Sequence, residues 1–295
     1  MELGNAPEKV AELKAAIERE HKLAQEEYRS VETKIEIPHE VINQWLDPYR
    51  ALPIRECLLL LSSDPNILPS YDAAYAQAVD EAKQFVFLNI APVRIQTDEM
   101  TVKRIDDEDG KLAYGAARNF RMRYLFAATF FIPHLFELLK SNDPDYLGVV
   151  RQHIAESDII DECRLALITA GLEAFNRDDH IACIHILLPQ IEGALRDFLG
   201  CLGMPKTNFL GLGDWEAQTL NRILDILADI EGFDSDFVWL IRLLLADKLG
   251  DNLRNEAAHG IAKPEKFNWR NAASLLFIIV KLTAYRFLPA HPIPE

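Results

Sequence analysis

Residues 179–196 of this chain read DHIACIHILLPQIEGALR. Their apolar side chains recur at the three- and four-residue spacing that places them on one side of an α-helix. That apolar side is formed by Ile184, Leu187, Leu188, Ile191, Leu195 and Phe198. His185, Glu192 and Arg196 follow one another along its edge. The stretch therefore predicts a long helix that buries one face in a core and carries a line of polar side chains beside it.

Helical periodicity continues on both sides of this helix. A preceding helix is predicted over 157–175, and Asp178 or Asp179 is the expected N-cap of the next one. Because the connection is so short, the two helices should form an antiparallel hairpin. The last helix, over 268–288, is apolar on nearly every side and should be central.

The fold class follows from these patterns and from the scarcity of helix breakers. Only 13 glycines and 15 prolines interrupt the 295 residues. We predict an all-α protein, with a mainly helical N-terminal region over 1–144 and a helical-bundle domain over 145–295.

A few segments qualify this picture. Residues 89–110 lack helical periodicity and predict a loop or a small hairpin. Residues 200–213 are expected to form a loop, followed by helices over 214–230 and 235–247. An amphipathic helix over 7–35 either packs on its own domain or pairs with a partner chain.

Charge and composition narrow the possible functions. The formal net charge is −15. A field of this sign repels phosphate backbones at long range, which argues against coating of nucleic acid without sequence preference. The four cysteines show no zinc or disulfide spacing and predict reduced thiols. No signal peptide or membrane span is recognised, so the expected location is the cytoplasm, without membrane contact.

Several common catalytic motifs are missing from the sequence. It contains no phosphate-binding P-loop, no nucleophile elbow and no zinc-protease motif. His180 and His185 are five residues apart, a spacing that separates two imidazoles by about 140° around a helix. We therefore expect neither a metal site nor a cofactor.

The segment 253–260, which reads LRNEAAHG, combines groups that handle phosphate without a metal. Arg254 supplies a fixed cation, Asn255 an amide donor, and His259 a side chain that exchanges protons near neutral pH. Asn255 and His259 share one helix face, and Arg254 reaches the same place with its long stem. Gly260 fits the position after the helix, where the chain takes a left-handed conformation.

Residues 253–260 and 179–196 together resemble the family called domain of unknown function 4209, whose signature is Arg-Asn-x-x-x-His-Gly. That family in turn resembles the HEPN superfamily (higher eukaryotes and prokaryotes nucleotide-binding), whose helical domains include many metal-independent ribonucleases. The resemblance covers about residues 160–288. It implies a HEPN-like helical bundle, commonly dimeric, in which the Arg and His side chains of both copies face one cleft.

The resemblance also implies roles for the three motif residues. His259 acts as the acid or base at the ribose 2′-OH and the leaving 5′-oxygen, Arg254 stabilises the charge on phosphorus, and Asn255 orients the phosphate or the imidazole. The product is a 2′,3′-cyclic phosphate. Defence against phage, a toxin–antitoxin pair or a stress response is the implied setting. Residues 1–144 are left unassigned by the resemblance, and three roles stay open for them: a sensor, a binding surface for a protein regulator such as an antitoxin, or only an extension of the core.

Residues around the motif are expected to support it. Glu192 pairs with Arg254, holds His259, or pairs with Arg196 one turn away. His185 lies on the same polar edge. Basic side chains downstream, namely Lys263, Lys266 and Arg270, are candidates for binding the RNA substrate.

Other interpretations of the motif remain open at this point. Arg254 is also able to form a structural ion pair with Asp251 or Glu192, with His259 as a charge at a helix end. The domain would then be a non-catalytic module that binds RNA or a nucleotide, or an assembly domain that makes a homodimer.

Overall fold

The fold is taken from a computed structural model, which describes residues 6–26, 36–85, 92–96, 101–211 and 214–286. Part of the amphipathic stretch predicted over 7–35, and residues 287–288 of the helix predicted over 268–288, lie outside these residues. The last helix ends at Leu282, earlier than predicted, because Thr283 caps it and donates its hydroxyl to the Val280 carbonyl. The described part of the chain is all-α, as predicted, with two short antiparallel hairpins in addition.

Twelve α-helices are present among the described residues. They are α1 Ala6–Glu26, α2 His39–Arg50, α3 Ile54–Ser63, α4 Tyr71–Gln84, α5 Glu108–Asn142, α6 Tyr146–Ala155, α7 Glu162–Asn176, α8 His180–Cys201, α9 Leu220–Ala228, α10 Ser235–Ile241, α11 Leu253–Ala258 and α12 Trp269–Leu282. A π-helix, Arg242–Ala246, continues α10, and a 3₁₀ turn, Pro264–Lys266, precedes α12. The hairpins pair β1 Val93–Gln96 with β2 Thr101–Ile105, and β3 Thr207–Gly211 with β4 Asp214–Ala217.

Helix α12 lies at the centre of the fold, as its apolar sequence predicts. Every residue from Asn271 to Val280 is buried, and the helix contacts α3, α5, α7 and α8. One hydrophobic core includes buried residues from Ile42 to Leu282. Residues on both sides of the predicted boundary at 144 therefore contribute to the same core.

The predicted hairpin of α7 and α8 is confirmed. Asp179 is the N-cap of α8, and its carboxylate accepts a hydrogen bond from the Ala182 N–H at 3.0 Å. Gly171 lets the two helices approach closely, because a Cβ there would lie 2.4 Å from Leu187 Cδ2. Helix α7 begins at Glu162, later than predicted, since Asp161 caps its N-terminus.

Two predictions about the chain after α8 are wrong. The expected loop over 200–213 contains β3, and the expected helix over 214–230 begins with β4, so that α9 starts only at Leu220. All four residues of β4 are exposed, so the strand has no buried face to produce an alternating apolar pattern. The small hairpin allowed for in 89–110 is present as β1 and β2.

Helix α5 is the one helix in the described ranges that is long and apolar enough to cross a membrane by length and composition. The most apolar window of α5 has a mean hydropathy of 1.2, and 44% of it is buried within the molecule. The helix packs against α2, α4 and α12. These contacts are compatible with the core helix of a soluble protein.

His153 of α6 provides a test of the core by pH. The residue is 5% exposed, and its Nε2 lies 2.9 Å from Thr283 Oγ1. The Thr283 hydroxyl donates to the Val280 carbonyl, so its oxygen accepts from the Nε2–H of a neutral ring. Burial, helped by the charges of Arg55 and Arg286, lowers the pKa of His153.

We expect the stability of the protein to fall as the pH drops below about 6.5, where the unfolded chain protonates His153 and the folded chain resists. The contribution of this residue is at most about 1.4 kcal/mol for each pH unit. Thermal unfolding of the wild type and His153→Gln between about pH 7 and about pH 5 measures it, because glutamine still donates to Thr283 but does not titrate. Identical pH profiles for the two proteins would contradict this account.

Candidate functional site

The backbone after α10 positions the 253–260 segment. The Asp251 N–H donates to the Leu243 carbonyl at 2.8 Å, which folds the chain back on the π-helix. Gly250 lies against the same carbonyl, and a Cβ there would be 1.9 Å from the oxygen. Only glycine fits so close to a backbone atom. Asn252 then takes a left-handed conformation, φ 50°, and α11 begins.

Asn255 fastens α11 to this turn. Its side-chain Nδ2 donates to the Ala246 carbonyl at 3.0 Å and to Asn252 Oδ1 at 2.7 Å. Its Oδ1 accepts from Arg254 Nη1 at 3.1 Å. The amide is thus occupied by protein groups, and it orients Arg254. A direct bond from Asn255 to a phosphate would require one of these contacts to open.

Glu192 of α8 binds two guanidinium groups at once. Its Oε2 accepts from Arg254 Nε and its Oε1 from Arg196 Nη2, both at 2.9 Å. The Glu192 side chain is 13% exposed, so the carboxylate lies mostly away from water. Of the three roles expected for Glu192, the structure shows the pairs with Arg254 and Arg196 together. It shows no hydrogen bond or ion pair between Glu192 and His259.

Arg254 keeps donors for a further ligand. Its Nε and Nη1 are used within the protein, whereas no described residue accepts from its Nη2. The side chain is 34% exposed, so this edge of the guanidinium reaches solvent. Planar guanidinium edges bind phosphate oxygens well. Glu192 thus fixes the Nε edge of the Arg254 guanidinium, and the Nη2 edge faces solvent.

Arg196 links the cluster to the β3–β4 hairpin. Its Nη2 also donates to the Gln218 carbonyl at 3.0 Å. Its Nε is buried and has no hydrogen-bond partner among the described residues. Two guanidinium groups face one carboxylate here, which leaves one positive charge at this place on an acidic protein.

His259 ends α11 and is exposed. Its backbone N–H donates to the Asn255 carbonyl at 3.0 Å. No hydrogen bond or ion pair joins its ring to another residue in the described ranges. Gly260 follows with φ 68°, which confirms the left-handed position predicted for it. The imidazole is therefore accessible, on the same short helix as Arg254.

The downstream basic residues are placed differently from one another. Lys266 Nζ lies 2.6 Å from Glu256 Oε2 and donates to the Asp251 carbonyl at 2.8 Å, so its charge is used within the protein. Lys263 is exposed. Arg270 is half-buried in the first turn of α12, and its Nε has no partner in the part of the chain that the structure describes.

His185 lies on α8, two turns before Glu192, and packs on Phe267. The two rings are stacked, with centroids 4.9 Å apart and planes 24° apart. Phe267 directly follows the 3₁₀ turn that contains Lys266. His185 thus supports the segment between α11 and α12 by ring contact.

Two residues of the network were not singled out from the sequence. Asn252 accepts the Asn255 amide, and Gln218 offers its carbonyl to Arg196. Asn252 has a local signal, since asparagine tolerates the left-handed conformation before a helix. The Gln218 carbonyl is a backbone group and has no side-chain signal.

The candidate site is therefore a network of Glu192, Arg196, Arg254 and Asn255, with an accessible His259 at the end of α11. Within the described ranges no group of three His, Cys, Asp or Glu side chains is arranged to hold a metal ion. Comparison of the chain with protein-family models, with curated proteins and with solved structures found no match in any of the three.

Proposed function

We propose that this protein is an endoribonuclease of the HEPN type, in which Arg254 and His259 act on one RNA phosphate. The observation that carries the proposal is the pairing of Arg254 with Glu192, which fixes the guanidinium while its Nη2 edge stays open beside solvent. A fixed cation costs little reorganisation when charge develops on phosphorus.

In the proposed reaction, the neutral His259 imidazole removes the proton from a ribose 2′-OH. The 2′-oxygen attacks the adjacent phosphorus, and the bond from phosphorus to the 5′-oxygen breaks. Arg254 stabilises the negative charge on the non-bridging oxygens. The leaving 5′-oxygen takes a proton from a second acid, and the products are a 2′,3′-cyclic phosphate and a 5′-hydroxyl.

A second copy of the chain is the proposed source of that acid. One His259 is unable to give and take protons at both oxygens at the same moment, whereas two copies related by a twofold axis place two imidazoles at one phosphate. Two copies also double the net positive charge that Arg196 and Arg254 leave around Glu192. An RNA cleft then forms on a homodimer whose overall charge is strongly negative.

A second function is favoured by the same ion pair. Because two guanidinium groups share the Glu192 carboxylate, one positive charge remains, and this charge is suited to bind a phosphate even where RNA is not cut. The protein would then be a non-catalytic RNA- or nucleotide-binding module. Cytoplasmic location and a role in defence or stress response are proposed with either function.

The chemistry of the products tests the proposal. A 5′-labelled RNA is incubated with the protein in EDTA, and the 3′ ends of the fragments are identified by treatment with acid and phosphatase. We expect cyclic phosphate ends, and no cleavage where the ribose carries a 2′-deoxy substitution. Fragments with 3′-hydroxyl ends, or cleavage that EDTA abolishes, would overturn the proposed reaction. Binding of RNA without cleavage would select the non-catalytic module.

A further inference from the structure

The β3–β4 hairpin exposes two aromatic side chains side by side. Phe209 and Trp215 are directly paired across the two strands, and their ring centroids are 5.0 Å apart. Phe209 is 60% exposed and Trp215 is 65% exposed. Because the two rings touch, they form a contiguous exposed apolar patch, the kind of surface that binds ligands or partners.

In the regularly paired part of the hairpin, residues 207–209 and 215–217, the face that carries these rings has no charged side chain. Side chains alternate between the two faces of a strand, so Thr207 and Ala217 share the face of Phe209 and Trp215. Glu216 is paired with Asn208 and lies on the opposite face. This part of the aromatic face is therefore uncharged, and its two rings are tilted by 53° to each other.

The base of the hairpin is joined to the candidate site. The Gln218 N–H donates to the Lys206 carbonyl at 3.1 Å, which closes the base of the two strands. The Gln218 side chain, 4% exposed, donates to the Pro205 carbonyl at 2.8 Å. The Gln218 carbonyl accepts from Arg196, which is paired with Glu192. Hydrogen bonds thus join the hairpin to Arg196 and, through Arg196, to Glu192 of the candidate site.

Distance along β4 limits how far Trp215 lies from Gln218, the residue that Arg196 contacts. Trp215 is three residues before Gln218, so it lies about 10 Å from the base of the hairpin at about 3.3 Å for each residue. A ligand that contacts both places needs an anionic group and, a short distance away, a flat ring. A nucleotide within a single strand has both features.

We propose that Phe209 and Trp215 form a stacking platform for the bases of single-stranded RNA whose phosphate lies at Arg254 and His259. This inference rests on the proposed function, since it assigns the base contacts of the same ligand. Stacking on aromatic side chains tolerates any base, because every base has a π-face. The platform therefore favours unpaired RNA over duplex without selecting a sequence.

Binding of a non-cleavable strand tests the platform. The probe is a fluorescein-labelled 2′-O-methyl oligoadenylate, which lacks the attacking hydroxyl, and its affinity is measured by fluorescence anisotropy with the full chain. We expect Trp215→Ala to weaken binding about tenfold. Trp215→Phe keeps a ring and should restore most of the affinity. Asn208→Ala, on the opposite face of the same hairpin, is the matched control and should bind as the wild type does.

A second probe distinguishes binding through the bases from binding through the phosphates. An oligonucleotide of the same length with abasic positions keeps its charges but offers nothing to stack, so the wild type and Trp215→Ala should bind it equally weakly. If the wild type fails to bind the oligoadenylate, both the platform and the proposed function are overturned.

If the wild type binds and Trp215→Ala binds equally well, only the platform is overturned. A change in oligomeric state with unchanged RNA affinity would likewise reject it, and would make the aromatic face a contact between copies of the chain.

Discussion

Replacing His259 with alanine should slow cleavage of RNA in EDTA by about 100- to 10,000-fold, the range typical of a general acid or base. The side chain is exposed and has no hydrogen bond to another described residue, so its removal should change the free energy of unfolding by less than about 0.5 kcal/mol. A large loss of rate with an unchanged thermal unfolding temperature would therefore mark a role in chemistry. Initial rates with a labelled single-stranded RNA measure the effect.

The matched control for this variant is His39→Ala. His39 is also exposed and begins α2, remote in sequence from the candidate site. The His39→Ala protein should cleave RNA at the rate of the wild type. If His259→Ala and His39→Ala retain equal activity, the assignment of His259 is wrong, and contamination by another nuclease becomes the explanation for any cleavage.

Replacing Glu192 with glutamine should lower both stability and activity. Removing one partner of a fully buried ion pair costs about 3–5 kcal/mol. Arg196 and Arg254 are 23% and 34% exposed, so solvent screens part of this loss, and we expect about 2 kcal/mol. The activity should fall as well, because Arg254 loses the contact that fixes its guanidinium. Thermal unfolding and cleavage rates of the same preparation measure the two effects.

Glu256→Gln is the control for Glu192→Gln. The Glu256 side chain is 16% exposed, similar to that of Glu192, and it pairs with Lys266, which lies outside the Arg196–Glu192–Arg254 network. We expect a smaller loss of stability and little change in cleavage. A Glu192→Gln protein as stable and active as the wild type would show that the two-arginine cluster contributes nothing.

The fold could be predicted wherever burial leaves a periodic trace in the sequence. The central helix α12 and the α7–α8 hairpin are apolar at helical spacing, and both are present, although α7 begins at Glu162 and α12 ends at Leu282, inside their predicted bounds. The β3–β4 hairpin was missed because all four residues of β4 are exposed, so no alternation of buried and exposed side chains distinguishes that strand from a loop. The π-helix after α10 was missed because its leucines are equally compatible with an α-helix.

The residues of the candidate site could be predicted from the sequence, but the ion pairs that join distant residues could not. The Arg196–Glu192 pair is local, four residues apart on one helix, and its spacing is visible in the sequence. The Arg254–Glu192 pair joins residues 62 positions apart and depends on how α8 and α11 pack. Sequence spacing was therefore unable to decide among the three roles of Glu192. Glu192 holds both arginines because its two oxygens face different helices.

The central claim is that Arg254 and His259 act together on one phosphate. The most direct measurement is the rate of RNA cleavage in EDTA by Arg254→Ala, His259→Ala and the double variant. Groups that act in one step lose their effects together, so the double variant should be about as slow as the slower single variant. Two independent losses that multiply in the double variant, or single variants as fast as the wild type, would contradict the claim.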